Sequence, residues 1–328
     1  MKNQAHRGLS AILALTVAAI ASPIVSHAQD AFPNKPITLL VGFAPGGGTD
    51  LIARHVGSKL SELLKQPVVI ENRAGASGTI AAQAVARAKP DGYTLLLGHV
   101  SSNAMVPAIM PKLNYTAKDF TPITLIGSVP QVVVVPASSK ATNLQEFIAL
   151  AKSKTGGINY ASSGKGTQQH FAAELFELAT GTSMTHIAYK GSGPALNDLL
   201  SGLVDVNFDT VPTVLQHIKA GRLRALAVTT SQRIATLPAT PTVAESGVPG
   251  YEISAWYMLM GPSSLPPAVL SSLATAVNST LKSPELREKL IALGTEVAGG
   301  SPEQAQAFLN SEVDKWARVA HDKKITAE

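Results

Sequence analysis

The chain has 328 residues, a formal net charge of +5, 15% charged residues and no cysteine. That composition excludes disulfides, thiol nucleophiles, thiolate metal sites and a cysteine-borne lipid anchor. Lysines and arginines are scattered singly and aromatics make up only 5%, so nothing argues for nucleic-acid binding.

In chain order, Lys2, His6 and Arg7 precede an apolar run from Leu9 to about Ala21, and Ser26-His27-Ala28 closes it. A basic head, a short apolar stretch and small residues are the three parts of a secretory signal. The run is too short for a confident membrane span. Export with removal of residues 1–28 is expected, leaving a mature chain of 300 residues and charge +3.

Strand-like and helix-like segments then alternate. Ile37–Phe43 is an apolar run, and Asp50–Leu64 carries Leu51, Ile52, Val56, Leu60 and Leu63 at helical spacing. Val68–Ile70 reads as a strand, Ile80–Ala88 as an alanine-rich helix, and Tyr93–Leu97 as a strand after the Pro90-Asp91-Gly92 turn. The pattern restarts at the β-branched run Val132–Val135. Helix Leu144–Lys152, strand Asn159–Ala161, helix Thr167–Leu178, strand His186–Tyr189, helix Ala195–Leu200 and strands Val204–Phe208 and Ala225–Thr229 follow. Helices Ala268–Leu281, Glu285–Leu293 and Pro302–Ala320 finish the chain. Such alternation predicts α/β architecture with mainly parallel sheets flanked by helices, and its restart predicts two lobes.

"VGFAPGGGTD", Val41 to Asp50, runs a strand through Pro45–Gly48 into a helix. It lacks the lysine of a P-loop, and Leu51 stands where a dinucleotide fingerprint needs its third glycine. Two readings stay open: backbone N–H groups at the helix start cradle an anion, or the loop is a tight turn with Thr49 or Asp50 as cap. "NYASSGKGTQQHFAAELF", Asn159 to Phe176, repeats the geometry, with Ser162, Ser163 and Thr167 as hydroxyl donors beside Gly164 and Gly166. His170 and Glu174, four apart, are half a metal site or an ordinary helix-surface pair. Farther on, Tyr189-Lys190-Gly191 leaves a strand, and Asp209 ends the next one. Tyr189 walls a pocket or packs; Lys190 meets a carboxylate or water. All four loops, at 44–50, 162–167, 189–194 and 209, lie at strand carboxyl ends, where open α/β sheets bind ligands. No G-x-S-x-G elbow and no H-E-x-x-H occurs, so an enzyme reading has no residues to name.

"PNKPITLLVGFAPGGGTDLIAR", "VVIENRAGASGTIAAQAVARAKPDGYTLLLG", "YASSGKGTQQHFAAELF", "IAYKGSGPALNDLLSG", "IKAGRLRALAVTTSQRIATLPATPTVAESGVPGYE" and "AWYMLMGPSSLPP" closely resemble the substrate-binding proteins of tripartite tricarboxylate transporters, the Bug family. The likeness runs in order from Pro33 to about Lys315. It implies a two-lobed periplasmic binding protein of the type II, Venus-flytrap kind, with lobe 1 at 29–128 plus 228–328 and lobe 2 at 129–227. It implies a monomeric periplasmic receptor, not an enzyme and with no cofactor, that closes on a small carboxylate and docks on a large and a small membrane subunit. Carried onto this chain, Phe43 and the loop Ala44, Gly46, Gly47, Gly48 and Thr49 would approach a carboxylate from one lobe. Ser163, Gly164 and Thr167 would approach from the other, and Tyr189, Lys190, Gly191 and Asp209 would complete the wall. The chain departs from the family after "LLLG": His99, Ser102 and Asn103 stand where relatives often carry small residues and a glycine. His99 and Ser102 would enlarge or re-polarise the pocket, so the ligand stays open among di- and tricarboxylates, aromatic acids such as terephthalate, nicotinate and acidic amino acids. The rival readings are an exported hydrolase or esterase using a cleft serine, and a sensory co-receptor for a membrane kinase.

Overall fold

A computed structural model describes residues 32–110, 112–154 and 156–326; the expected signal segment lies outside them. In chain order the elements are β1 (Ile37–Val41), α1 (Gly48–Leu64), β2 (Val68–Asn72), α2 (Thr79–Ala86), β3 (Thr94–His99), a π-helical turn (Ser101–Met105), α3 (Val106–Ile109) and β4 (Phe120–Pro136). There follow α4 (Leu144–Ser153), β5 (Ile158–Ser162), α5 (Gln168–Thr180), β6 (Met184–Ala188), α6 (Ser192–Ser201), β7 (Val206–Thr210), α7 (Val211–Lys219) and β8 (Leu223–Val228). The last are β9 (Ser254–Pro262), α8 (Pro267–Lys282), α9 (Pro284–Ala292), β10 (Glu296–Val297) and α10 (Pro302–Lys323).

Each half keeps three parallel strands, β2-β1-β3 and β6-β5-β7. The strands that tie the halves together run antiparallel. β4 is the spine: its first part, to Pro130, pairs with β9, and from Gln131 it pairs with β7 and β8. The full path is β2-β1-β3-β9-β4-β7-β5-β6, with β8 and β10 also on β4. Only Val132–Val135 of this strand carries a clear local signal. Pro122, Gly127 and Pro130 interrupt the rest, and the β4–β9 register shifts between Pro122 and Thr124 and again between Leu125 and Gly127, the irregularities a strand uses to bend.

Two of the longer elements, β9 and α7, carry no clear local signal either. β9 is buried on both faces from Ala255 to Met260, so it shows no alternation and reads as a bare apolar run. α7 starts with Pro212 in its first turn, where a missing N–H costs nothing. It buries Val211, Val214 and Leu215 against a core shared with α6, β4 and β8.

The helices bury one stripe each. α1 buries Ile52, Ala53, Val56 and Leu60 and ends at Lys65 in the left-handed conformation (φ 52°). α10, begun by the Ser301/Gln304 capping box, lies on β4 and the π-helical turn. Its buried Glu312 accepts from Trp256 Nε1 of β9 at 2.9 Å and from Trp316 Nε1 at 2.8 Å. Among the described residues no helix is long and apolar enough to cross a membrane.

Glu312→Ala strips both buried indole N–H groups of their acceptor, and each such loss costs about 1–3 kcal/mol. The expected destabilisation is about 3 kcal/mol by urea denaturation; a change below about 0.5 kcal/mol would show that α10 is held by packing alone.

Candidate functional site

Parallel βα units put strand carboxyl ends and helix amino ends on one edge of the sheet. Here β1 leads into α1, β5 into α5, β6 into α6 and β7 directly into α7. The four helix starts meet around one small cavity lined by Phe43, Gly47, Gly48, Thr49, His99, Ser163, Gln168, Ser192, Thr210 and Tyr257. None of their N-cap residues, Gly47, Thr167, Gly191 and Thr210, caps its helix through a side chain. By contrast, α4 is capped by Asn143 and α10 by Ser301. Uncapped starts present free N–H groups and the positive end of the helix dipole, and no lysine or arginine lines the cavity.

Some of those N–H groups are met across the cleft. Gly48 N–H donates to Thr213 Oγ1 at 2.8 Å and Gln168 N–H to Ser101 Oγ at 3.0 Å. Ser101 Oγ in turn donates to Gln168 Oε1 at 2.9 Å. Ala44 N–H reaches Lys190 O at 3.1 Å, and Ser77 Oγ donates to Lys165 O. The halves therefore touch directly, and the space between them amounts to about 10 Å³ for a water-sized sphere, the scale of one water molecule. Backbone proximity explains two glycines. A Cβ on Gly48 would stand 2.5 Å from Thr210 Oγ1 and 3.1 Å from Tyr257 Oη, and one on Gly47 would stand 3.0 Å from Ser192 Cβ. Larger grooves lie elsewhere, between α8 and Gly300–Glu303 and beside Thr230–Thr236; neither touches the converging helix starts.

Of the residues singled out in the sequence, Phe43, Gly47, Gly48, Thr49, His99 and Ser163 line this cavity. Ala44 and Gly46 form its outer lip, where Gly46 N–H donates to Asp50 Oδ2 at 3.1 Å. Burial alone would raise the Asp50 pKa, but hydrogen bonds from Arg54, Gly46 and Asn72 bring it below the ordinary value; Asp50 thus folds the loop rather than capping α1. Ser102 and Asn103 turn inward: Ser102 Oγ donates to Asn103 Oδ1 at 2.8 Å, and that oxygen also accepts from His99 N–H at 3.1 Å. Gly164 and Thr167 bond each other, Thr167 Oγ1 donating to Gly164 O at 2.7 Å. Tyr189 Oη donates to Asp198 Oδ2 at 2.5 Å, away from the cavity. The Lys190 side chain is exposed, and Gly191 lies against Ala44.

Asp209 sits one layer beneath. It is fully buried and accepts from Ser192 Oγ at 2.9 Å, Thr210 N–H at 2.7 Å and Asn207 Nδ2 at 3.0 Å. Gln169 completes this support, accepting from Ser163 N–H at 2.5 Å and donating to Ser192 Oγ at 3.1 Å. Burial pushes the Asp209 carboxyl up to about 6 despite these donors.

Sequence reasoning missed Gln168, Ser192, Thr210 and Tyr257. The first three each follow a residue it chose: Gln168 and Ser192 are the first residues of α5 and α6, and Thr210 is the residue before α7. Tyr257 has no local signal at all. A serine–histidine contact does exist, Ser162 Oγ to His186 Nε2 at 2.5 Å. That serine is fully buried, however, and the imidazole is stacked between Tyr160 and His170. His170 Nε2 stands 3.5 Å from Glu174, and among the described residues no group of three or more His, Asp or Glu could hold a metal.

Residues 52–325 match the pattern of the tripartite tricarboxylate transporter family receptor. The chain is 39% identical over 310 residues to protein BugT of Bordetella pertussis, covering 94% of each. It superposes with TM-score 0.87 on an R. palustris protein solved with adipate, at 38% identity and covering 90% of this chain and 99% of that one. MatC from Rhodopseudomonas palustris with bound malate gives TM-score 0.83 at 32% identity, covering 88% and 99%.

The raised Asp209 pKa has a definite sign. The folded protein keeps this proton up to about pH 6, whereas the unfolded chain releases it near 3.9. Stability therefore falls as pH rises between about 4 and 6, by about 3 kcal/mol. Asp209→Asn should remove that part of the slope in denaturation at pH 4 and 6; equal slopes in both proteins would show that Asp209 is ionised as easily folded as unfolded.

Proposed function

The chain belongs to the tripartite tricarboxylate transporter receptor family, and from that premise we propose a periplasmic solute receptor, acting by capture rather than catalysis. It takes a small di- or tricarboxylate, or an aromatic acid such as terephthalate, between its lobes and delivers it to the large and small membrane subunits of a tripartite transporter. Residues 1–28 serve as its export signal.

The observation that carries this reading is the meeting of four uncapped helix starts around a cavity without a lysine or arginine. Helix starts hold anions through N–H groups and dipole without the need of a cation. Neighbours solved with adipate and with malate favour the same ligand class.

The mechanism follows from the contacts. The shut cavity has room for about one water, so capture requires the lobes to part and close again on the solute. The proposed lobes are 29–128 with 228–328, and 129–227, and β4 is the spine across which they move. Tyr251 Oη donates to Ala172 O at 2.8 Å, which couples the connection after β8 to α5. α1 comes from one lobe and α5, α6 and α7 from the other, so a carboxylate meets all four only when the cleft is shut. The solute then shifts the population toward the closed form by its differential affinity for it.

Titration calorimetry of residues 29–328 against aliphatic and aromatic mono-, di- and tricarboxylates tests this reading. One class should bind, and at a hundred times its dissociation constant it should add about 2.7 kcal/mol of stability. Gly47→Val, which drives a branched side chain toward Ser192, should abolish binding and leave the fold intact; unchanged affinity would refute the cradle.

A further inference from the structure

One wall of the cavity holds a buried hydroxyl without a partner beside a buried imidazole. Tyr257 of β9 and His99 at the end of β3 are register partners in the antiparallel β3–β9 pair. Their ring centroids lie 5.2 Å apart, and both line the cavity. Tyr257 is 0% exposed and His99 2%.

Tyr257 Oη has no hydrogen-bond partner among the described residues. The Thr49 and Thr210 hydroxyls neighbour it, but neither meets it with hydrogen-bond geometry. Burial raises the pKa of this phenol, so it stays a protonated donor. A buried hydroxyl without a partner is costly to a fold, which makes its retention a sign of use. His99 leads to the same place by another route. Its Nδ1 accepts from Ser101 N–H at 3.1 Å, and burial holds its pKa down at about 3. The ring is therefore neutral near pH 7, and with Nδ1 engaged as an acceptor its one proton is assigned to Nε2. Two neutral donors thus stand side by side, with Phe43 packed edge-on against the imidazole at 5.1 Å. Both are satisfied by oxygens that only accept, as both oxygens of an ionised carboxylate do.

We propose that His99 and Tyr257 form the seat for one carboxylate group of the captured solute, donating to it from Nε2–H and Oη–H. This seat rests on the carboxylate-receptor reading and adds to it a side-chain contact from the spine-side strands β3 and β9, distinct from the helix starts. Because the donors are neutral, the seat recognises geometry and acceptor lone pairs without a countercharge.

The test separates a binding role from a structural one. Tyr257→Phe removes the unmatched hydroxyl and nothing else, so the ligand-free variant should melt at the same temperature as wild type or higher. Its dissociation constant for the carboxylate that wild type binds best among adipate, malate and terephthalate should nevertheless rise about tenfold or more. His99→Asn keeps an acceptor for Ser101 N–H, removes the Nε2 donor and should weaken binding by a similar factor. Wild-type binding with Tyr257→Phe equally tight overturns the seat alone. A ligand-free Tyr257→Phe that melts lower than wild type also overturns it, since the hydroxyl would then be serving the fold. If wild type binds no carboxylate at all, the receptor reading fails and the seat with it.

Discussion

Four helices begin at one place without side-chain caps, and this constraint organises the rest of the molecule. Each leaves N–H groups that need an acceptor, and the parallel βα units aim all four at the same few ångströms of space. The protein answers part of that need itself, through Thr213, Ser101 and Asp209. The glycines at positions 47 and 48 follow from it, because the start of α1 must approach Ser192, Thr210 and Tyr257 at backbone range. So does the polar but uncharged lining. A lysine in so small a cavity would need a permanent partner of its own, whereas N–H groups and hydroxyls wait for one at modest cost.

The buried carboxylate of Asp209 shows how the cradle is kept in order. It accepts from Ser192 and from the start of α7, while Gln169 bridges Ser163 and Ser192. Ser192 therefore donates downward and accepts sideways, and its orientation is fixed before any solute arrives. Such preorganisation lowers the cost of ordering on binding. The stability cost of burying a carboxylate among neutral donors is carried by the large core, where β4 and β9 lie buried together and Glu312 joins the two tryptophans.

Much of the fold was legible because its signals are local. The spacing of Ile52, Val56 and Leu60 and the Val132–Val135 run each report burial from a short window, although Leu63 at the end of the same stripe is exposed. β9 was not, since a strand covered on both faces loses its alternation, and the early part of β4 was not, since Pro122, Gly127 and Pro130 disguise a bent strand. The site divides in the same way. Strand ends and glycine turns located the four loops, but which residue of each turn faces inward depends on the junction, the first helical residue at α5 and α6 and the cap at α7, which hid Gln168, Ser192 and Thr210. Ser102 and Asn103 were drawn inward by a π-helical turn that no local pattern announces. Tyr257 meets His99 only through a pairing between strands far apart in sequence, and nothing near position 257 reveals it.

The central claim is that the solute completes contacts which exist only when the halves are together. The absence of native cysteine allows spin labels at introduced cysteines, replacing exposed Arg87 after α2 and exposed Leu203 after α6. The distance distribution between them, measured with and without a saturating carboxylate, addresses the claim directly. The account predicts that ligand collapses the distribution to one short, narrow population. An unchanged distribution under proven saturation would contradict it, and would mean that the four helix starts are held together by the fold and not by what they bind.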